Sequence, residues 1–310
     1  MEAGTAPSPA RAVRFPRLAK VWAWIRHHAL NVYAALAIAY LLIPVAIIIL
    51  FSFNDTQSRF NFVWQGFTLR HWEQPFLVPD LTDAMIVSLQ LAAASTLIAT
   101  TLGTMIALAL VRHEFIARKT ANVLIVLPIA TPEVVIGAAL LSLFLTYTFV
   151  GLGFASLFIA HVMFSISFVV IVVRSRLIGF DRGLEEAAQD LGATPVTTFR
   201  TVTLPLIFPG IMAGALLAFA LSLDDFVISN FNAGTTLTFP LWIFGAARIG
   251  LPPQVNIMAT LLFAVTVFAM VLTVWQQRRA ERMAAVRPDQ EETGLAALAS
   301  GRRPVAGTER

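Results

Sequence analysis

The sequence predicts an all-α integral membrane protein with six transmembrane helices and both termini in the cytoplasm. Three observations predict it. Of the 310 residues, 57% are hydrophobic and only 13% charged, and the mean hydropathy is +0.76, a balance that soluble domains of this length do not show. The apolar residues fall into six runs, 31–53, 84–111, 122–145, 154–173, 206–229 and 255–276, each near the roughly 20 residues that a helix needs to cross a bilayer. Six crossings put the two ends on one side, and of the 22 Lys and Arg all but Arg59, Arg70 and Arg248 lie in segments on that side. Basic loops stay in the cytoplasm, so that side is the inside. The net charge of +4 then reports topology, and nucleic-acid binding is the weaker explanation.

Each element follows in order. Residues 1–30 form a cytoplasmic tail: 1–9 are small and proline-rich and are expected to be disordered, whereas 14–28 interleave Phe15, Leu18, Val21, Trp22, Trp24 and Ile25 with basic residues, as an interfacial amphipathic helix against membrane lipid does. The first apolar run is too long for a signal peptide and lacks a small-residue cleavage site, so 31–83 reads as a retained first helix and its outer loop. The second and sixth runs carry no charge. The third carries Glu133 after Pro132, the fourth His161, and the fifth Asp224 and Asp225. His161 is expected to be an interhelical hydrogen-bonding residue, and Pro44, Pro128 and Pro209 to be ordinary kinks. Beyond 277 the chain is Ala, Gly, Pro and charge, and 278–310 is expected to be a disordered cytoplasmic tail. There is no cysteine, which excludes disulfides and thiolate metal sites.

Between the fourth and fifth runs lies a polar island, 182–205, containing EEAAQDLGATPVTTFRTVTLP. Residues 184–191 are helix formers, and Gly192 suits the left-handed position that closes a helix. Thr194-Pro195 reads as an N-cap followed by proline at the first helical position. A second short helix follows and ends at Pro205, because the residue before a proline is pushed out of the helical region. A DNA-binding helix-turn-helix has similar local grammar, but Glu185, Glu186 and Asp190 would repel phosphate. A bare connector of ~30 residues is longer than most, and loops of that length with helices of their own are usually functional.

The spacing Glu186-Ala187-Ala188, three residues, Gly192, nine residues, Val202-Thr203-Leu204-Pro205 resembles the EAA loop of the membrane subunits of ATP-binding cassette (ABC) importers, with valine where isoleucine is common. The resemblance implies the type I ABC importer permease fold, with 84–277 as the transmembrane domain and 182–205 as a coupling loop seated in a cleft of a separate ABC ATPase subunit. Glu186, Ala187, Ala188, Gly192, Leu204 and Pro205 are then its coupling residues. No G-x-x-x-x-G-K-[ST] stretch occurs, so ATP is expected on the partner subunit, with no cofactor and no catalytic site in this chain. Residues 127–141, 222–229 and 236–262 resemble spermidine/putrescine permeases, particularly the second of their two membrane components. This implies a bacterial inner-membrane location, polyamine cargo, a second and different permease chain, and an external substrate-binding protein. Another small solute, such as iron or thiamine, and a pore made from two copies of this chain remain alternatives.

The acids support cationic cargo independently. An intramembrane carboxylate is expensive and is by default a functional candidate, and no Lys or Arg lies within the six runs to pair with these three. At ~1.5 Å per residue, Glu133 falls about 16 Å from the inner end of its run, near the midplane, while Asp225 lies towards the outer mouth. Adjacent residues on a helix point about 100° apart, so one of Asp224 and Asp225 faces a pathway. Asp225 is the first candidate, Glu133 the deeper station and Asp224 the third candidate, with capping or bonding of backbone near the helix end as the alternative for either aspartate. Trp242, Phe231 and Phe244 could meet cargo by cation–π attraction, with an aromatic belt or docking face as the stronger alternative. An intramembrane aspartyl protease needs two carboxylates converging on one site, which this adjacent pair does not offer. A proton-coupled secondary transporter would explain the acids and leave the loop at 182–205 without a purpose.

Overall fold

The computed structural model describes residues 16–268, apart from 59, 148, 149 and 180, together with 270–272, 274, 275 and 278; side chains are described from His28 onward. Of the tails expected at 1–30 and 278–310, residues 1–15 and 279–310 lie outside the described residues. Among those described the structure is helical, with one isolated antiparallel bridge between Asn54 and Phe67. In chain order it contains α1 (Pro16–Phe51), α2 (Arg70–Glu73), α3 (Pro79–Arg112), α4 (Arg118–Ala130), α5 (Glu133–Thr146), α6 (Phe154–Ile178), α7 (Gly183–Asp190) and α8 (Pro195–Thr198). A π-helical turn (Phe199–Thr203), α9 (Leu204–Asp224), α10 (Val227–Asn232) and α11 (Phe239–Ala246) follow, and α12 (Pro253–Leu272) completes the series. Among the described residues five helical segments are long and apolar enough to cross a bilayer: His28–Phe51, Pro79–Arg112, Phe154–Ile178, Pro195–Asp224 and Pro253–Leu272. A sixth crossing exists if α4 and α5 count as one bent span.

The chain forms two compact units. One takes in α1 to Thr56, then Phe62–Glu73, and the chain from Asn256. There Phe53 stacks on Phe67 and Trp72, with centroids 5.5 and 5.2 Å away. Asn54 holds the following loop, its Nδ2 donating to the Val63 carbonyl at 2.8 Å and its Oδ1 accepting from the Gln65 N–H at 2.7 Å. Residues 16–28, where an interfacial helix is expected, are helical and run without a break into the apolar part of α1.

The other unit takes in Gln57–Asn61 and Gln74–Val255. Its centre is a three-helix cluster: Ala107 and Leu110 of α3, Val169, Val170 and Val173 of α6, and Ile207 and Ala218 of α9. Lipid is as apolar as these side chains, so close packing holds such helices together, and small residues permit it. Gly103 is where it matters: a Cβ there would sit 2.7 Å from Val169 Cγ1. A second cluster joins Ile136, Leu140 and Phe144 of α5 to Ala160 and Phe164 of α6 and Ile228 of α10. Asn232 ties the same region, donating to the Gly137 carbonyl at 3.2 Å and the Ile228 carbonyl at 2.9 Å.

Three sequence expectations are corrected. The run 122–145 is not one rod, because α4 and α5 meet at 110°. Pro132 lacks an N–H and pushes its predecessor into the extended region, and Thr131 sits there at φ −91°, ψ 134°. The fifth run ends at Asp224 rather than Ser229, since Asp225 is extended and α10 starts afresh. Pro205, finally, does not stop the helix: α8, the π turn and α9 are continuous from Pro195 to Asp224. The π turn makes this possible by donating the Leu204 N–H to the Phe199 carbonyl, so that the ladder widens immediately before the proline ring.

Candidate functional site

The polar loop is built as its local sequence specifies. The last turn of α7 closes with the Gly192 N–H on the Gln189 carbonyl at 2.8 Å and the Ala193 N–H on the Ala188 carbonyl at 3.0 Å, a Schellman closure that places Gly192 at φ +88°. Thr194 caps α8, its hydroxyl accepting from the Thr197 N–H at 3.3 Å, with Pro195 at the first position. Glu186 and Ala187 are exposed, Ala188 half-buried, Gly192 exposed, Leu204 half-buried and Pro205 exposed.

The polarity of this loop is inverted relative to a soluble surface. Three of its aliphatic side chains face out, Leu191 at 90% exposure, Val196 at 63% and Leu184 at 50%, while Glu185 is buried. Both Glu185 oxygens are held by the Arg112 guanidinium at the end of α3, the Nη2 to Oε1 contact measuring 2.6 Å, and the Thr203 hydroxyl donates to the same carboxylate. Arg182 adds a hydrogen bond from Nη2 to the Val111 carbonyl at 3.0 Å. Sequence reasoning missed Glu185, Arg112 and Thr203. The adjacent Glu185 and Glu186 cannot share a face, and that signal says one turns inward without saying which.

The guanidinium of Arg112 holds the Glu185 carboxyl below its ordinary range; burial opposes this, and the Thr203 hydroxyl and the Arg112 and Arg182 charges reinforce it. A carboxylate with a depressed folded-state pKa contributes stability that is fully present above its unfolded value, about 4.3, and is lost as pH falls through the lower folded value. Glu185→Gln is therefore expected to destabilise the protein by about 2 kcal/mol at neutral pH, less than the ~3–5 kcal/mol of a fully buried pair because Arg112 keeps some water. Thermal unfolding of parent and variant in detergent at descending pH checks this: the difference should hold from pH 8 to about 5 and shrink below about 4.

At the opposite end of α9 the structure brings the three acids into one neighbourhood, in roles other than those expected. Asp225, the first pathway candidate, turns inward with its side chain 5% exposed. Its carboxylate accepts the Ile228 N–H at 3.2 Å and the Ser229 N–H at 2.8 Å, capping α10. Asp224, the third candidate, is exposed. Glu133, expected inside a continuous helix, is exposed in the first turn of α5 at the elbow, and both its charge and that of Asp225 act on Asp224. Phe244 already carries a cation, the Arg248 guanidinium, 5.0 Å from its ring centroid, and Phe231 lies against Gly137.

His161 is a buried hydrogen-bonding residue between helices, as expected. Its Nδ1 is 2.7 Å from Ser222 Oγ, its Nε2 3.1 Å from Ser229 Oγ and 3.5 Å from Asp225 Oδ2, and Ser222 Oγ is 3.0 Å from Ser95 Oγ. Ser222 Oγ thus lies between the His161 ring and Ser95, and Nε2 faces Ser229 and Asp225. The four helices α3, α6, α9 and α10 are tied by one chain of hydroxyls and imidazole ending on Asp225.

Comparisons with known proteins bear on both regions. The family model described as "Binding-protein-dependent transport system inner membrane component" matches residues 99–284. The spermidine/putrescine transport system permease protein PotC of Haemophilus influenzae is 36% identical over 244 residues, covering 78% of this chain and 94% of that protein. The putrescine transport system permease protein PotI of Escherichia coli K12 is 35% identical over 254 residues, 80% of this chain and 90% of that one. Among solved structures, a bacterial ABC transporter involved in the import of the acidic polysaccharide alginate superposes with a TM-score of 0.57 at 17% identity, covering 84% of this chain and 98% of the matched one; at that identity the likeness concerns the fold.

Proposed function

Because this chain belongs to the family of binding-protein-dependent transport system inner membrane components, a multi-pass bacterial membrane protein and transport component, we propose that it forms half of the translocation pathway of an ABC importer for putrescine or spermidine. The names of the two relatives support the polyamine cargo. The observation that carries the assignment within this chain is the inverted loop 182–205, whose exposed Leu184, Leu191 and Val196 need a protein partner.

In this reading α7 and α8 are the part an ATPase subunit grips. Glu186, Ala187 and Ala188 meet its surface, Gly192 sets the angle between the two short helices, and Leu204 and Pro205 begin the continuous rod that carries the movement into the membrane as a rigid body. ATP is bound and hydrolysed by that partner. The second half of the pathway comes from another permease chain, and cargo arrives on an external binding protein. The bent pair α4 and α5 counts as one span, giving six crossings with both ends in the cytoplasm, a topology supported by the distribution of basic residues. Asp224 and Glu133 are the carboxylates that meet the dication or trication, while Asp225 holds the helix break that presents them.

Reconstitution tests this reading. The chain alone in liposomes is expected to show neither ATP hydrolysis nor uptake. Together with its ATPase, second permease and binding protein it should import labelled putrescine or spermidine only when ATP is supplied. Uptake by the lone chain, or a complete complex that hydrolyses ATP and imports no polyamine, would overturn it.

A further inference from the structure

A loop that transmits force must be fastened as well as gripped, and the fastening is visible on its inner side. Glu185 touches two elements separated by 91 residues of sequence: Arg112, the last residue of α3, and Thr203, the last residue of the π turn that leads into α9. Arg182, immediately before α7, adds the bond to the Val111 carbonyl on the same turn of α3. Two of the three helices of the central cluster therefore meet α7 at one carboxylate.

We propose that the junction of Arg112, Glu185 and Thr203 is the latch that makes α3 and α9 move together with the loop, with Glu185 and Arg112 as positioning residues for transport; this rests on the coupling-loop reading above. The chemistry suits the role. Apolar contacts are non-directional, so a short helix resting on them alone slides. A guanidinium engaging both oxygens of a carboxylate fixes distance and angle together, and pulling it apart leaves two charges where water reaches them poorly. Glu186, one residue on and exposed, takes no part in it, so the two adjacent glutamates divide gripping from fastening.

The experiment uses the complete complex in proteoliposomes and measures polyamine uptake beside ATP hydrolysis. Glu185→Gln and Arg112→Lys are expected to assemble and hydrolyse ATP, with uptake per ATP reduced about tenfold and the KM for cargo unchanged. The double variant Arg112→Met with Glu185→Met removes both charges, so it should regain the parent's thermal stability while uptake per ATP stays low; that split separates transmission from mere structural support. Parental uptake per ATP in Glu185→Gln, or in the double variant should the single one fail to assemble, overturns the latch. Glu186→Lys in the same assay distinguishes the two levels. If it is inactive while Glu185→Gln transports normally, only the latch falls; if Glu186→Lys and Gly192→Val also transport normally, the coupling-loop reading itself falls.

Discussion

Gly192→Val is expected to uncouple the transporter, reducing uptake by at least about tenfold, the size of effect that 1–2 kcal/mol at a strained backbone position brings. The defect is conformational rather than steric. Nothing lies within 4 Å of where a Cβ would stand, so a side chain meets no neighbour within the chain. What it meets is its own backbone: at φ +88° a β-branched residue is a genuine outlier. Relief of that strain dissolves the closure in which Gly192 and Ala193 bond back to Gln189 and Ala188, and the angle between α7 and α8 is lost. Gly192→Ala should show the same defect more weakly. The measurement is uptake and ATP hydrolysis in proteoliposomes, with membrane insertion as the control. A valine variant that transports at the parental rate would show that the loop's geometry is irrelevant to coupling.

The second large effect concerns the acids, where the burial of Asp225 and the exposure of Asp224 lead us to propose the reverse of the order expected from the sequence. Asp224→Asn is expected to leave the complex intact and raise the KM for polyamine about tenfold, the loss of one charge-assisted contact. Glu133→Gln should act in the same direction. Asp225→Asn should instead lower thermal stability by about 1–2 kcal/mol, since an amide has one oxygen where the carboxylate uses two to cap α10, with uptake falling in proportion to the folded complex. Purified yield, melting temperature and uptake kinetics for the three variants separate these outcomes. If Asp224→Asn and Glu133→Gln both import polyamine with unchanged kinetics, the electrostatic pathway is wrong and the cargo rests on family likeness alone.

What was legible in the sequence was whatever a few neighbouring residues decide. Gly192, Thr194 and Pro195 each specify a dihedral angle or a cap within one turn, and the structure places all three as read. The runs of apolar residues located the spanning helices for the same reason. Hydropathy, however, is blind to direction, so the run through Pro132 looked like one rod where the chain turns by 110°. Nor does it carry absolute rotational phase. That Asp224 and Asp225 diverge was evident; which one faces outward depends on His161 and Ser229, reached only through the packing of α6, α9 and α10. The same holds for Glu185, whose partner Arg112 lies 73 residues away.

The π turn at Phe199–Thr203 gives that segment a tolerance for length that the α-helices on either side of it lack. A π turn holds one residue more than the α ladder requires, so excising any one of the five would let the helix run on as a plain α-helix from α8 to α9. Because the π turn spreads its five residues over about the rotation and rise of four in an α ladder, at ~100° and ~1.5 Å each, the excision leaves α8 close to its bearing. A docking face seated squarely on its partner would stay seated, with every side chain of that face still present. A single codon lost from the plain α-helix of α9, by contrast, swings everything before it by ~100° about the axis, so the same loss is mechanically mild in one turn and severe in the next.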